Sequence, residues 1–308
     1  MNSVLQQFFD PAFWYSVVRV STPLLFGTMA ALICSIAGTV NIGIEGMMLM
    51  SAFTGTIVAS FSKNPWVGLL SAVASAVVVA ALLAYFHLNL KTDVVIAGVA
   101  TNLLSSGLTV FLLFTITGEK GTSAALRSYV IPRIEIPILR EIPFVGKVLS
   151  GHNVLTYLAI ICVFLIHYLI TKTAFGMNMR AVGENPQAAL SVGISVKRMR
   201  YYAFLLSGLL SGFGGAFLSM GYVSWFARDM TAGRGFISLA AQALGGKSAL
   251  LSAAGALLFG IAESVGITLQ SLRIPSEITN MLPFILTLGV LLLYARVRVK
   301  THSRIQEQ

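Results

Sequence analysis

The chain has 308 residues, of which 56% are hydrophobic and only 10% are charged, with a mean hydropathy of +0.84. A soluble domain has about 25% charged residues, so this composition excludes an ordinary soluble protein and predicts an all-α integral membrane protein. The net charge of +10 does not indicate nucleic-acid binding, because most Lys and Arg lie between or at the ends of apolar runs, where they orient membrane spans.

Eight apolar runs predict membrane spans, each of which needs about 20 apolar residues including its flanks. In chain order they are Trp14–Ala37, Met47–Phe61, Trp66–Leu88, Val94–Ile116, Val154–Thr171, Tyr201–Tyr222, Leu250–Gln270 and Met281–Ala295. A further piece, Phe236–Gly245, is too short to face lipid and predicts a short or broken helix buried in the bundle. We therefore expect one transmembrane domain over residues 1–308, a polytopic helical bundle of about 8–9 transmembrane segments.

The segment between the fourth and fifth spans, residues 117–152, is the longest polar-interrupted stretch. Pro132, Pro137 and Pro143 prevent it from forming a single helix. Its alternation of apolar and charged residues, IPRIEIPILREIPFVG, is typical of a packed segment rather than a disordered linker. We expect an extracellular cap here.

A polar island lies between the fifth and sixth spans, within residues 173–200. Asn185-Pro186 is a helix-start signal, with Glu184 at the positive end of the helix dipole. Ala188, Ala189 and Leu190 continue the helix, and Gly193 is a C-terminal stop. The pattern predicts a small helix of about two turns. The alternative is an ordinary solvated loop with a chance helix.

The densest basic clusters are this island and the tail, residues 296–308, so both are expected to be cytoplasmic. Counting spans backwards from them places residues 117–152 and the N-terminus outside. A break at Gly38–Gly46 could hide another half-crossing, which leaves the side of the N-terminus open.

That break reads GTVNIGIEGMMLMSA, and its glycines interrupt helical continuity between two apolar runs. Discontinuous helices in transporters place backbone N–H groups and polar side chains at mid-membrane. Asn41 and Glu45 fall in this break and are candidates for a substrate path. The alternative for Glu45 is a helix cap near the surface.

Three further polar residues interrupt apolar runs. Asn102 and Gln242 are candidates for the same path, and with Asn41 they would line one mostly neutral cavity. For Asn102 the alternative is an interhelical hydrogen bond, worth about 0.6 kcal/mol in membranes. Glu263 is expected to be structural, bonded to Ser or Thr on a neighbouring helix.

These motifs together resemble the permease subunits of ATP-binding-cassette importers, in the family of branched-chain amino-acid, simple-sugar and nucleoside permeases. The matching stretches, in chain order, are VNIGIEGMMLM, DVVIAGVATNLLSSGLTVFLL, RAVGENPQAALSVGIS and LGGKSALLSA. The resemblance is strongest to the nucleoside (guanosine-type) and sugar branch, and it implies a type II importer-like fold. It also implies that ATPase coupling falls to Arg180, Glu184, Asn185, Pro186, Ala188, Ala189 and Gly193.

The resemblance implies the partners as well. It implies a second homologous permease subunit, cytoplasmic ATPase subunits, an extracellular substrate-binding protein or lipoprotein, and a prokaryotic cell membrane. The implied substrate is a nucleoside, with a simple sugar as the alternative. No cofactor is expected in this chain, because ATP and Mg²⁺ would be used by the ATPase partner.

Enzyme and metal functions are not indicated. The run AQALGGKS lacks the first glycine of a Walker motif, and the four His have no metal-ligand spacing. The remaining alternative is a self-powered secondary transporter or channel, which would carry proton-relay or ion-site charges within its spans. Apart from Glu45 and Glu263, the spans carry almost none.

Overall fold

A computed structural model describes residues 10–126, 128–135 and 145–271. The predicted last span, Met281–Ala295, and the basic tail lie outside these residues, so those two predictions stand as made.

The described chain is almost entirely helical. Its helices are α1 (Pro11–Ile36), α2 (Ile44–Ser62), α3 (Pro65–Leu88), α4 (Val94–Thr117), α5 (Val145–Leu149), α6 (Val154–Lys172), α7 (Ala174–Glu184), α8 (Pro186–Ser191), α9 (Val196–Met220), α10 (Arg234–Gly245) and α11 (Ala249–Ser271). Two two-residue strands, β1 (Arg133–Ile134) and β2 (His152–Asn153), pair in antiparallel register. Among the described residues, seven helices are long and apolar enough to cross a membrane, and they match the predicted runs.

Local sequence fixes where several of these helices begin. The side chains of Asp10, Asn64, Asp93 and Asn153 each accept a hydrogen bond from a backbone N–H in the first turn of the helix that follows. Such caps satisfy donors that have no partner within the helix. The predicted starts at Val94 and Val154 agree with the structure, whereas the first and third helices begin earlier than predicted, at Pro11 and Pro65.

Small residues let the central helices approach closely. Ala76 and Ala80 on α3 lie against Gly208 and Gly212 on α9, and any side chain at Gly208 would meet the Ala80 methyl group. Without a hydrophobic driving force between helices in lipid, such close packing stabilises the bundle through van der Waals contact.

The bundle has two ends, which we call the lower and upper faces. The lower face carries residues 173–195 together with the α3–α4 turn, where the Tyr201 hydroxyl donates to Asn89 Oδ1 at 2.9 Å. The upper face carries the described parts of residues 118–153, and the hydroxyl of Tyr15, near the start of α1, donates to the Gly151 carbonyl there. The N-terminal end of α1 and the predicted cap segment therefore share one face.

The described parts of the cap segment are packed onto the bundle, as predicted. Backbone N–H groups of Ser123 and Ser128 donate to the carbonyls of Phe226 and Ser224 in the chain that follows α9. His152 and Asn153, at the start of α6, are fully buried. The Asn153 amide donates to the carbonyls of Ile131 and Gly221, which ties three segments together.

His152 is held as a neutral ring at this junction. Its Nε2 lies 2.8 Å from the Val148 carbonyl, which only a donor can satisfy, so Nδ1 accepts from the Tyr222 hydroxyl at 3.0 Å. The Tyr15 ring stacks on it at 4.0 Å between centroids. Burial lowers the pKa of His152 below its usual value of 6.5, and the nearby Arg19 and Arg133 lower it further, although the bond to Val148 opposes this.

We expect this junction to be acid-sensitive. As pH falls below 6.5, His152 becomes protonated in the unfolded chain before it does in the folded one, so stability present at neutral pH is lost. His152→Gln should therefore show a smaller fall in Tm between neutral and mildly acidic pH than the wild type, measured by thermal unfolding in detergent. His167→Gln, on α6, is the control and should keep the wild-type slope; equal slopes in all three proteins would contradict the expectation.

Candidate functional site

The chain reverses direction between α1 and α2 without crossing the bundle. α1 ends at Ile36 near the lower face, where Arg200 donates to the carbonyls of Ala37 and Gly38. Four residues later the Asn41 amide donates to Ser207 Oγ at 2.8 Å, about midway along α9. The non-helical segment 37–43 therefore leads from the lower face into the bundle, where α2 begins beside Leu83 on α3 and Gly98 on α4. The predicted helix break is present but shorter than Gly38–Gly46, so Glu45 lies in α2 and not in the break.

Asn102 on α4 holds the top of this segment in place. Its Oδ1 accepts from the Gly46 N–H at 2.8 Å, and its Nδ2 donates to the Ile42 carbonyl at 2.9 Å. The start of α2 leaves the Gly46 N–H without a partner in the helix, and the Ile42 carbonyl belongs to the non-helical segment before it. One neutral amide supplies both the donor and the acceptor that the break needs.

A second helix, α10, also begins inside the bundle. The chain leaves α9 at the upper face and descends through residues 221–233. Ser238, in the second turn of α10, then donates to the Leu24 carbonyl, midway along α1. α10 runs from there to the lower face, so it crosses only part of the bundle, as its short apolar run predicted.

Glu45 joins the starts of α2 and α10. It lies in the first turn of α2, and its carboxylate accepts from the N–H groups of Gly233 and Gly235 at 2.8 and 2.6 Å. A carboxylate at a helix N-terminus interacts favourably with the helix dipole and with the unpaired donors there. The N-termini of α2 and α10 therefore meet at the middle of the bundle with a single negative group between them.

The start of α10 is also held by an ion pair on α11. Arg234 Nη2 donates to Glu263 Oε1, and both side chains are mostly buried. The prediction that Glu263 is structural agrees with this contact, but the partner is an arginine rather than Ser or Thr. Sequence reasoning missed the pair because its members lie 29 residues apart.

A cavity of about 260 Å³ opens where the two N-termini meet. Glu45 and Asn102 line it, as do the polar residues Ser106, Asp229 and Thr231 and the ring of Phe236. Leu49, Val99 and Leu103 form its apolar wall. A concave, mostly apolar site with a few placed polar groups is the usual form of a small-molecule site.

The other two predicted path residues lie elsewhere. Asn41 is fully buried, and its amide bonds to Ser207 Oγ and accepts from the Gly43 N–H. Gln242, near the lower end of α10, donates to Ser35 Oγ and to the Gly246 carbonyl. The structure therefore brings Glu45 and Asn102 to one cavity but does not bring Asn41 and Gln242 there. Their assignment to a path remains a prediction.

The predicted coupling segment contains two helices rather than one. Asn185 caps α8 by accepting from the N–H groups of Gln187 and Ala188, and Pro186 occupies its first position. The helix stops before Gly193, which has φ +83°. Ala189 packs inward, whereas Leu190 and Val192 are exposed. Before it lies the amphipathic α7, which carries the half-buried Arg180 and which sequence reasoning did not resolve as a separate helix.

α7 touches the α1–α2 break directly. A side chain at Gly183 would collide with the Ile36 carbonyl oxygen, and one at Gly38, which has φ +71°, would lie 2.8 Å from the Gly183 Cα. Two glycines are needed for this backbone-to-backbone contact. Glu184 lies at the end of α7 and pairs at 3.7 Å with Lys247 in the α10–α11 turn, where both side chains are exposed. Segment 173–195 thus contacts the chain that leads into α2 and the turn that follows α10.

Comparison with known proteins identifies the family to which this arrangement of helices belongs. A family model described as "branched-chain amino acid transport system / permease component" matches residues 14–291. The chain belongs to this family. It is a multi-pass membrane protein, and its predicted permease fold is confirmed.

Curated relatives are similar over most of their length. The chain is 34% identical to the nucleoside ABC transporter permease protein NupC of Lactococcus lactis, covering 89% of both chains. It is 33% identical to the guanosine ABC transporter permease protein NupQ of Bacillus subtilis, covering 87% of both. A glucose ABC transporter permease protein of Haloferax volcanii, TsgC13, is 31% identical over 84% of this chain and 78% of its own.

A solved structure supports the fold. An inward-facing metal-chelate type ABC transporter aligns with a TM-score of 0.52 at 18% identity, covering 89% of this chain and 84% of that one.

We expect Glu45 to hold the start of α10. Glu45→Ala should leave two N–H groups without partners, each costing about 1–3 kcal/mol, and should speed hydrogen–deuterium exchange in residues 230–240. Glu45→Gln keeps one acceptor oxygen and should be intermediate. Glu119→Gln, an exposed acid in the cap segment, is the control. Unchanged exchange in Glu45→Ala would show that this bond does not stabilise the helix start.

Proposed function

We propose that this chain forms half of the translocation pathway of an ATP-driven importer for nucleosides. The observation that carries the proposal is the cavity at the meeting point of α2 and α10, whose supporting segments are both in contact with segment 173–195. Discontinuous helices that meet at mid-membrane are the common way in which transporters build a solute path. The family membership and the relatives named for nucleosides and guanosine support the substrate class.

In this proposal the lower face is cytoplasmic and docks an ATPase subunit. The exposed apolar side chains of Met177, Leu190 and Val192 lie on α7 and at the end of α8, where water would otherwise solvate them. Exposed apolar groups on a compact capped helix are typical of a protein interface. The ATPase supplies the ATP and Mg²⁺ chemistry, and this chain supplies the contact.

A second homologous permease would complete the path. The cavity is open on one side, and α4 exposes Ile96, Leu103 and Phe111 beside it. An external binding protein would deliver the solute to the upper face. A weakly binding path suits this division of roles, because tight mid-path binding would trap the solute.

Coupling follows from contacts along the chain. A displacement of α7 presses on Gly38 and the Ile36 carbonyl through Gly183, and so moves segment 37–43. That segment leads into α2, and the Glu45 carboxylate in the first turn of α2 accepts hydrogen bonds from the N-terminus of α10. The pair Lys247–Glu184 joins the other end of α10 to α7. Because α2 and α10 both carry residues that line the cavity, their movement would change access to it.

A simple sugar is the second candidate substrate. The observation that favours it is the glucose permease of Haloferax volcanii, which is 31% identical to this chain. The two candidates differ in the nucleobase, so a direct comparison of labelled solutes separates them.

The proposed activity is tested by uptake. The complete complex, reconstituted in liposomes with its binding protein, should accumulate labelled guanosine only when ATP is supplied on the ATPase side. Labelled D-ribose and D-glucose should enter much more slowly. Accumulation without ATP would contradict ATP-driven import. Uptake of a sugar but of no nucleoside would overturn the proposed substrate class.

The coupling route is tested at the glycine contact. Gly183→Val should separate α7 from the break, because its side chain would meet the Ile36 carbonyl, and should lower solute-stimulated ATP hydrolysis and uptake together. Gly121→Val, at a glycine where an added side chain meets nothing within 4 Å, is the matched control and should behave as the wild type. Normal stimulation in a correctly inserted Gly183→Val protein would contradict the route.

A further inference from the structure

We infer that the cavity between α2, α4 and α10 is a substrate-recognition site within the permease itself. In this site Phe236 stacks on the nucleobase and Asp229 accepts hydrogen bonds from the ribose hydroxyls. This inference rests on the proposed function and deepens it, because it assigns substrate selection to residues of this chain as well as to the external binding protein.

The polar groups of the cavity fall into two classes. Both atoms of the Asn102 amide and both oxygens of Glu45 are bonded to backbone groups at the helix starts. These two residues therefore fix the shape of the cavity rather than bind a solute. Of the other polar lining residues, Ser106 already donates to Asp229 and Thr231 is buried. Asp229 and the ring of Phe236 are therefore the groups left to contact a solute.

The ring of Phe236 is exposed at the edge of the cavity. Its side chain is 46% exposed although it lies in the first turn of α10, beside buried Gly235 and Ile237. The preceding residue is held by the bond from the Gly235 N–H to Glu45, so the backbone that carries the ring is fixed. A fixed aromatic face at the edge of a small cavity offers a flat ring a stacking surface, and every nucleobase has such a face.

Asp229 supplies acceptors at the same cavity. Its Oδ1 accepts from Ser106 Oγ on α4 at 3.1 Å, and its Oδ2 lies 3.3 Å from Arg228 Nε. A carboxylate has about four acceptor positions, so two protein partners leave room for the donors of a sugar diol. The side chain is 58% exposed, which leaves those positions open to the cavity.

Phe236 and Asp229 together favour a nucleoside over a free sugar or a free nucleobase. A free sugar would satisfy Asp229 but leave the Phe236 face uncovered, and a free base would stack without reaching the carboxylate through hydroxyl groups. The volume of about 260 Å³ lies just below the usual range for drug-sized ligands, which suits a solute of nucleoside size. With two contacts on one half of the pathway, binding would be weak enough for release.

The aromatic contact is tested by substitution in the complete reconstituted complex. With saturating loaded binding protein, Phe236→Leu should lower the maximal rate of guanosine uptake about tenfold, whereas Phe236→Trp should retain most of it. Phe164→Leu, which removes a similarly exposed ring on α6, is the control and should transport as the wild type. Wild-type uptake in Phe236→Leu, or equal loss in the Leu and Trp variants, would overturn the stacking role.

Spectroscopy gives a second readout that a packing role would not move. Guanosine should quench the added fluorescence of Phe236→Trp in a saturable way, measured against the three native tryptophans in the parent protein. D-Ribose at the same concentration should not. Absence of guanosine quenching in a transport-competent variant would contradict the inference.

The hydroxyl contact is tested from the solute side. The wild type should carry guanosine about tenfold faster than 2′,3′-dideoxyguanosine, because the dideoxy sugar leaves Asp229 without its donors. In Asp229→Ala this ratio should fall towards one, while Phe164→Leu keeps the wild-type ratio. An unchanged ratio in Asp229→Ala would overturn the assignment. If the wild type carries no nucleoside at all, the proposed function itself fails, which is a separate outcome.

Discussion

The bond between the Glu45 carboxylate and the N–H groups of Gly233 and Gly235 is the interaction on which this arrangement depends. Two helices begin in the middle of the bundle, and the first turn of each exposes donors that hydrocarbon cannot satisfy. One carboxylate serves the start of α10, and the Asn102 amide serves the start of α2. The starts of α2 and the short α10 can therefore meet in an apolar bundle, and a cavity remains between them.

Sequence predicts the parts of this structure that depend on local pattern. Apolar runs locate the spans, Asn185-Pro186 locates α8, and the glycines from Gly38 to Gly46 locate the break, because each signal lies within a few residues of the feature it specifies. Pairings across long separations are not visible in this way. Glu45 and Gly233 are 188 residues apart, and no local pattern links Asp229 or Phe236, at the start of the predicted short helix, to α2 and α4. The amide residues illustrate the same limit, since Asn41 and Asn102 have the same chemistry but only Asn102 reaches the cavity.

The lower face and the cavity are linked by backbone contact rather than by a chain of flexible side chains. Gly183 lies against Gly38 and the Ile36 carbonyl with no side chain between them, and close-packed backbone transmits displacement with little loss. The exposed pair Lys247–Glu184 shows that the α10–α11 turn lies beside α7, but it adds little free energy, because surface ion pairs are worth about 0–1 kcal/mol. Segment 173–195 and α10 are therefore expected to move as one body relative to the upper half of α6, which lies above the contact of Gly176 with Leu169 and Ile170.

Pulsed electron paramagnetic resonance tests this most directly. Spin labels would be placed at Val192→Cys below the bundle, Ala232→Cys beside the start of α10 and Ile161→Cys on α6, all exposed positions, in a Cys34→Ala and Cys162→Ala background. When ATP binds to the complete complex, the distances from 161 to 192 and from 161 to 232 should change together, while the distance from 192 to 232 stays constant. A shift of position 192 against α6 with position 232 unmoved would contradict coupling between the lower face and the cavity.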